Sequence, residues 1–450
     1  MGFDMVGKTR IRNADEQTEH AFPPAMLAWL SVAVLLIMGL VAFLDRQIIA
    51  LLVDSIKLDL GISDFQVSLL QGLAFGILYA TAGLPLGYAV DRYSRRWVIF
   101  WGVMAWSICA MLCGLSETYG TLLAARIGVG LGEAALGPAA YSILSDLFPK
   151  KRLALALSVY SIGSLLGASV AYAIGGAVVT WAAHGGTLPL LPDLEIWQIA
   201  FVVTGFPGIL IAFLVFAMPE PKRRHLLAAE AAPLKAVFAF MGAHARFIIC
   251  LIGGSACMMV CAYAGMSWTA VILHRVYGWS IATVGMSLGA WSAVLGVFGL
   301  LMNGALVDFL YTRGVRDAHL RYYVYGMGII ALTAPVILIM PFGALGFLLA
   351  MVPVKILGNF IGVSAAALQI ATPAELRGRM SAVFIASISI AGLTIGPSFP
   401  AFLTDFVFHD HLAVKKSLVA TYIVFAPIGA AFFFVGMKPF RNFTPVETAQ

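Results

Sequence analysis

Long apolar runs, separated by short polar segments, repeat along nearly the whole chain. A helix needs about 20 predominantly apolar residues to cross a bilayer, and each of these runs is close to or above that length. We number the predicted spans 1 to 12 in chain order. They lie at 26–51, 64–90, 97–115, 119–147, 153–183, 197–217, 246–273, 280–310, 322–340, 343–371, 380–407 and 417–437.

The longest polar interruption divides the spans six and six. It lies at 218–245, and we predict that it is a cytoplasmic linker between a six-helix bundle at 26–217 and a second bundle at 246–437. Polar tails at 1–25 and 438–450 complete the chain. The predicted fold class is therefore an all-α membrane protein.

Three short patterns recur in both halves in the same order. They are a Gly-x-x-x-Asp pattern after spans 2 and 8, a proline and an arginine before spans 5 and 11, and a Gly-x-x-x-Gly pattern inside spans 5 and 11. Such recurrence predicts a duplicated six-helix unit. The glycine-rich spans 5 and 11, which contain the pairs Gly163 with Gly167 and Gly392 with Gly396, also predict close packing and sliding of the two halves.

Composition excludes a large soluble domain. Of the 450 residues, 61% are hydrophobic and 11% are charged, whereas soluble domains are about 45–50% apolar and about 25% charged. The net charge of +6 comes from basic residues in short loops, so no nucleic-acid partner is predicted. Five cysteines inside apolar runs and eight scattered histidines have no ligand spacing, so we predict no metal site and no cofactor.

The basic residues also predict the orientation in the membrane. Most lysines and arginines lie in the loops on one side, whereas the opposite loops hold only Lys57, Arg275, Lys415 and Lys416. Positively charged loops remain on the cytoplasmic side. Both termini are therefore predicted to be cytoplasmic, in the inner membrane if the protein is bacterial.

The run Gly87-Tyr-Ala-Val-Asp91-Arg92-Tyr-Ser-Arg95-Arg96 between spans 2 and 3 resembles the signature loop of the major facilitator superfamily. Within that superfamily, three further segments resemble the Spinster family. They are Leu44-Asp45-Arg46, Arg126 followed by Gly130-Leu-Gly132-Glu133-Ala134, and Ser145-Asp146-Leu-Phe-Pro149 leading to Arg152. The resemblance implies the major facilitator fold, with two pseudo-symmetric six-helix bundles and a substrate site near the midplane.

The same resemblance implies a substrate and a driving force. Spinster proteins carry lysolipids and sphingolipid phosphates, so we expect a proton-coupled secondary transporter of an anionic amphiphile that works by alternating access. An Asp-Arg pair in span 1 and Gly-Glu-Ala in span 4 also occur in the anion:cation symporter family. Small organic anions or hydrophobic drugs are therefore the alternative cargo.

Charged residues inside apolar spans are the candidate site. An ionisable group costs at least about 2.5–3.5 kcal/mol at the centre of a membrane helix, so such groups usually face the protein interior. We predict that Asp45 and Glu133 carry protons, and that Arg46 and Arg126 alternate between these carboxylates and an anionic head group. The substrate-binding set is completed by Lys355, Tyr79 and Asn359.

A static role is the alternative for these charges. Salt bridges would then only lock spans 1 and 4 together, Arg46 would only orient Asp45, and Lys355 would reach a neighbouring carbonyl group. Substitution by the neutral amide separates the two hypotheses for Glu133 and Asp45.

The loop between spans 2 and 3 predicts a gate. By analogy with the superfamily, Asp91 would lie against the positive N-terminus of span 11 and hold the cytoplasmic side closed. The predicted gating residues are Gly87, Asp91, Arg92, Arg95, Arg96, Asp146, Arg152 and Arg377.

An enzyme is not predicted, because the spans contain neither a nucleophile paired with a base nor a metal cluster. A sensor with a transporter-like fold remains a further alternative. The expected partners are a lipid-like or organic anion, protons and membrane lipids, and the expected oligomeric state is a monomer.

Overall fold

The computed structural model describes residues 22–221, 223, 234–339, 343–358 and 360–443. Within these ranges it has 12 helical segments that are long and apolar enough to cross a membrane. The described residues form no β-strand beyond a single isolated bridge between Leu188 and Leu191. The predicted all-α membrane class and the predicted number of spans are confirmed.

Several spans consist of two helices with a short break between them. In chain order the helices are Ala25–Gln47 and Ile49–Leu60 (span 1), Asp64–Gln71 and Leu73–Arg92 (span 2), Arg95–Gly114 (span 3), Tyr119–Glu133 and Leu136–Leu147 (span 4), Lys150–Ala183 (span 5), Ile196–Ala212 (span 6), Ala245–Arg275 (span 7), Ile281–Thr312 (span 8), Ala318–Ile339 (span 9), Gly343–Leu357 and Ile361–Ala371 (span 10), Arg377–Phe402 (span 11), and Val414–Phe440 (span 12). An additional helix, Leu234–Ala243, precedes span 7.

Span 1 extends beyond its predicted end at residue 51, because charged residues near that end are paired. Lys57 lies 2.6 Å from Asp64, and Asp54 lies 2.5 Å from Arg275. The helix ends only at Gly61, whose φ of 62° is the left-handed conformation that glycine adopts without a steric penalty.

The first six and the last six spans pack in corresponding ways. Span 1 packs against span 5, span 2 against span 4 and span 3 against span 6, and the same pairing relates spans 7 and 11, 8 and 10, and 9 and 12. The glycine pairs serve these contacts: a Cβ at Gly167 would lie 2.7 Å from Phe43 of span 1, and one at Gly396 would lie 2.7 Å from Tyr263 of span 7. Gly167 and Gly396 thus bring helices together within each set of six.

Contacts between the two sets involve spans 5 and 8, 2 and 11, and 1 and 7. Spans 5 and 8 meet backbone to backbone, since a Cβ at Gly285 would lie 2.5 Å from the carbonyl oxygen of Tyr172 and 2.9 Å from the Cα of Gly176. We call the end with the loops at 93–94, 148–149 and 313–317 the basic end. The end with the loops at 61–63, 276–280 and 409–413 is the far end.

Candidate functional site

Arg46 and Glu133 form a buried ion pair between spans 1 and 4. The Arg46 guanidinium donates a hydrogen bond to Oε2 of Glu133, and the two side chains are 12% and 2% exposed. The guanidinium carbon also lies 4.3 Å from the ring centroid of Phe75 and 5.2 Å from that of Tyr79. Cation–π contacts of this kind hold an arginine in position without neutralising its charge.

Asp45 and Arg126 lie beside this pair and are also deeply buried. Asp45 is 1% exposed, and neither of its carboxylate oxygens has a hydrogen-bond partner among the described residues. The fully buried Arg126 donates to two backbone oxygens, at 3.1 Å to the Asp45 carbonyl and at 3.3 Å to the Leu70 carbonyl. Arg46 therefore pairs with Glu133, rather than orienting Asp45 as the static alternative proposed.

Arg46 also faces the boundary between the two sets of spans. It lines a narrow crevice together with Gln47 and Gln71 of the first set and Tyr263 of the second set. The crevice has a volume of about 10 Å³, which is the space of roughly one water molecule. In this conformation, the four charged residues of spans 1 and 4 are almost closed off from solvent.

Lys355 lies in a different cavity. This second cavity has a volume of about 140 Å³ and is bounded by spans 5, 7, 8 and 10. The Lys355 ammonium lies 5.7 Å from the ring centroid of Trp291, which lines the same cavity. The structure thus places Arg46 and Lys355 in separate cavities, whereas Arg126 and Tyr79 line neither of them. Asn359 lies outside the described residues.

The far end is closed by an ion-pair cluster that joins the two sets of spans. Arg275 of span 7 binds Asp54 of span 1 at 2.5 Å and Asp64 of span 2 at 2.8 Å. Nearby, the backbone N–H of Phe65 donates to Asp405 at 2.6 Å. Sequence analysis missed this cluster, although Arg275 stood out as one of few basic residues on its side of the membrane.

The predicted gate at the basic end is not engaged. A Cβ at Gly87 would meet no atom within 4 Å, and Asp91 and Arg92 are exposed. Arg377, at the start of span 11, donates instead to the carbonyl oxygen of Thr372 at 3.1 Å, and Arg152 is exposed. In this conformation the ion pairs of the far end are therefore formed, whereas Asp91 and Arg92 of the predicted gate are exposed.

The remaining predicted gating residues belong to a clamp inside the first set of spans. The buried Arg95 pairs with Asp146 and also lies 3.0 Å from Glu220, just after span 6. Glu220 further accepts from the Ser94 hydroxyl at 2.8 Å and from the backbone N–H of Arg96 at 3.1 Å. Sequence analysis overlooked Glu220 because it lies in the segment predicted to be a linker.

The protonation of Glu220 predicts how this clamp responds to pH. Burial alone would raise the pKa of Glu220, but the hydrogen bonds from Arg96, Ser94 and Arg95 outweigh it and hold the pKa below the ordinary value. Because the pKa of Glu220 is lower in the folded protein than in the unfolded chain, the ionised carboxylate stabilises the folded protein. This stabilisation is fully present above the unfolded-state pKa of about 4.3 and is lost as the pH falls through the lower pKa of the folded state.

We therefore expect Glu220→Gln to lower the melting temperature by a constant amount between pH 5 and pH 8. The difference from wild type should shrink only below about pH 4. Thermal unfolding across this range checks the prediction, and a difference that changes between pH 6 and pH 8 would contradict it.

The sequence matches one family model and several curated relatives. The model of the Major Facilitator Superfamily matches residues 35–397. An "MFS-type efflux pump" of Mycolicibacterium smegmatis is 27% identical over 92% of this chain and 94% of the relative. "Protein spinster" of Drosophila melanogaster is 32% identical over 44% of this chain and 30% of the relative. A "Probable L-galactonate transporter" of Escherichia coli is 23% identical over 90% and 88% of the two chains.

A solved structure shares the whole fold. It is a bacterial homolog of the human lysosomal transporter Spinster, in an inward-facing and unoccupied conformation, with a TM-score of 0.83 and 25% sequence identity. The match covers 95% of this chain and 100% of that one. The likeness extends to all twelve spans, including those of the second half, where sequence motifs were few.

Proposed function

The chain belongs to the Major Facilitator Superfamily and is a multi-pass membrane transporter of the Spinster type, and we propose that it moves an anionic amphiphile by proton-coupled alternating access. The observation that carries this proposal is the ion pair between Arg46 and Glu133 at the boundary between the two sets of spans.

Arg46 supports an anionic substrate. Its guanidinium presents a planar fork that binds phosphate or carboxylate through two parallel hydrogen bonds. Because Phe75 and Tyr79 hold the guanidinium from the sides, it stays in position when Glu133 releases it. Arg126 is fully buried here, so in this scheme it reaches the substrate only in the opposite state of the transport cycle.

The two buried carboxyl groups support proton coupling. A carboxylate removed from water without a partner is very costly, and taking up a proton removes that cost. When Glu133 is protonated, Arg46 is free to bind the substrate anion, and when the anion leaves, Arg46 again favours the ionised carboxylate. Asp45, whose carboxylate oxygens have no hydrogen-bond partner within the described part of the chain, is the second proton carrier in this scheme.

The two ends of the molecule support alternating access. We propose that the basic end faces the cytoplasm and that the far end faces outward, in keeping with the distribution of basic loops. The far-end cluster of Arg275, Asp54 and Asp64 then holds the outer side closed. In the opposite state, Asp91 would engage the start of span 11 and close the inner side.

The experiment that tests the function is a reconstituted transport assay. Proteoliposomes containing a trapped pH indicator receive lysophosphatidylglycerol, lysophosphatidylcholine or glucuronate, with and without an imposed pH gradient. We expect proton flux on addition of the anionic lysolipid, and little with the zwitterionic one. Flux with glucuronate alone would assign the protein to organic acids, as the names of several relatives indicate for those proteins. No flux with any probe would contradict the proposal and favour a sensor.

A further inference from the structure

The cavity around Lys355 contains a charged group away from the Arg46 and Glu133 pair. Among the described residues that line it, Lys355 is the only basic residue, and none is acidic. Its neighbours include Trp291, whose ring centroid is 5.7 Å from the ammonium, and the buried Ser292. An ammonium inside a largely apolar cavity attracts an anion more strongly than an ammonium in bulk water does, because the local dielectric constant is lower.

Tyr172 connects this cavity with the Arg46 crevice. Its hydroxyl donates to the Met266 carbonyl oxygen at 2.8 Å and accepts from Nε2 of Gln47 at 3.3 Å. Met266 lines both cavities, and Gln47 lines the crevice beside Arg46. Tyr172, contributed by the first set of spans, thus links a residue of the crevice to a residue that lines both cavities.

The size of the cavity limits what it holds. A volume of about 140 Å³ has room for a phosphate or carboxylate group, since one water molecule needs about 10–15 Å³ on the same measure. It has no room for a long acyl chain. Its apolar lining, which includes Leu288, Met351 and Val354, suits the first carbon atoms next to the head group.

We propose that the Lys355 cavity is a second anion subsite, in which the ammonium of Lys355 binds the head group of a single-chain amphiphile. This inference rests on the proposed function and deepens it. The substrate anion then has two binding points, Arg46 in the first set of spans and Lys355 in the second, whereas the proton binds Glu133.

Direct binding to the full chain in nanodiscs tests the subsite without any transport step. The probes are lysophosphatidylglycerol, zwitterionic lysophosphatidylcholine, and glucuronate as an anion without a chain. We expect Lys355→Gln to weaken lysophosphatidylglycerol binding about tenfold or more, because a hydrogen bond to a charged group is lost. Lys355→Arg should stay within about threefold of wild type, and binding of lysophosphatidylcholine should change far less.

The chain offers a matched control. Lys415 lies 5.5 Å from the ring centroid of Tyr277, so Lys415→Gln removes a lysine of similar geometry outside the cavity. We expect that variant to bind all probes as wild type does. A second variant, Ser292→Asp, introduces a carboxylate into the cavity and should also weaken anion binding about tenfold. It keeps the test decisive if Lys355→Gln does not fold.

The outcomes separate this inference from the proposed function. The subsite is refuted if both Lys355→Gln and Ser292→Asp leave anion binding unchanged, if they weaken both lysolipids equally, or if wild type binds none of the probes. Lysophosphatidylglycerol that binds through Lys355 but drives no proton flux refutes the proposed coupling and leaves the subsite standing. Coupled proton flux that is unchanged in the Lys355→Gln variant refutes the subsite and leaves the proposed coupling standing.

Discussion

Replacing Glu133 by glutamine is expected to abolish proton-driven transport while the protein stays folded. Glutamine keeps an oxygen that accepts the hydrogen bond from Arg46, but it cannot take up or release a proton. Uptake driven by a pH gradient should therefore fall to the level seen without a gradient. Exchange of labelled for unlabelled substrate needs no net proton movement, so it should persist.

The same variant should lose some stability. Breaking a buried ion pair costs about 3–5 kcal/mol when one partner is removed, and the retained hydrogen bond reduces this to roughly 1.5–3 kcal/mol. Glu117→Gln, at an exposed position of the far end, is the matched control and should behave as wild type. Gradient-driven uptake by the Glu133 variant would refute the coupling role. Loss of exchange together with unfolding would support the static alternative.

Replacing Arg275 by glutamine is expected to open the far end. This residue binds both Asp54 and Asp64 across the two sets of spans, and its side chain is 6% exposed. Loss of one partner of a buried pair costs about 3 kcal/mol at the lower limit, which shifts the ratio of closed to open conformations by roughly 100-fold. The far-end loops should then move apart.

Spin labels measure this opening directly. Leu58 and Lys416 are exposed residues of the far end, one in each set of spans. After the native cysteines are replaced and both positions are labelled, we expect the Arg275→Gln distance distribution to gain a longer component. Arg321→Gln breaks an ion pair with Asp317 inside the second set, so it serves as the control. An unchanged distribution in the Arg275 variant would show that packing, not charge, closes this end.

Sequence reasoning located the charges of spans 1 and 4 because an ionised side chain in an apolar run is conspicuous at any depth. Asp45, Arg46, Arg126 and Glu133 indeed lie together. The pairing of these charges could not be predicted from the sequence, because Arg46 has two candidate partners: Asp45 next to it in sequence and Glu133, 87 residues later. Only the packing of span 1 against span 4 decides between these two partners.

Features that depend on contacts between distant spans could not be predicted. Asp54 and Asp64 were assigned near span ends, where charged residues are ordinary, and their partner Arg275 lies more than 200 residues later. Tyr172 is a single tyrosine in an apolar run, and nothing in the sequence marks it. Its place beside the Lys355 cavity follows only from the packing of span 5 against spans 7 and 8. The role of Glu220 is visible only in the folded protein, where Arg95, which follows the loop between spans 2 and 3, binds its carboxylate.

The glycine contacts have a consequence for the energy of motion. Within each set of six, glycines let neighbouring helices interlock with bulky side chains, as Gly167 does with Phe43, so each set resists internal deformation. Where the sets meet, Gly176 and Gly285 present bare backbone to one another. Helices that meet through bare backbone can tilt against each other without unpacking side chains at that contact. Less of the work of each cycle then falls on the contact between spans 5 and 8, and more falls on the charges at the two ends of the molecule.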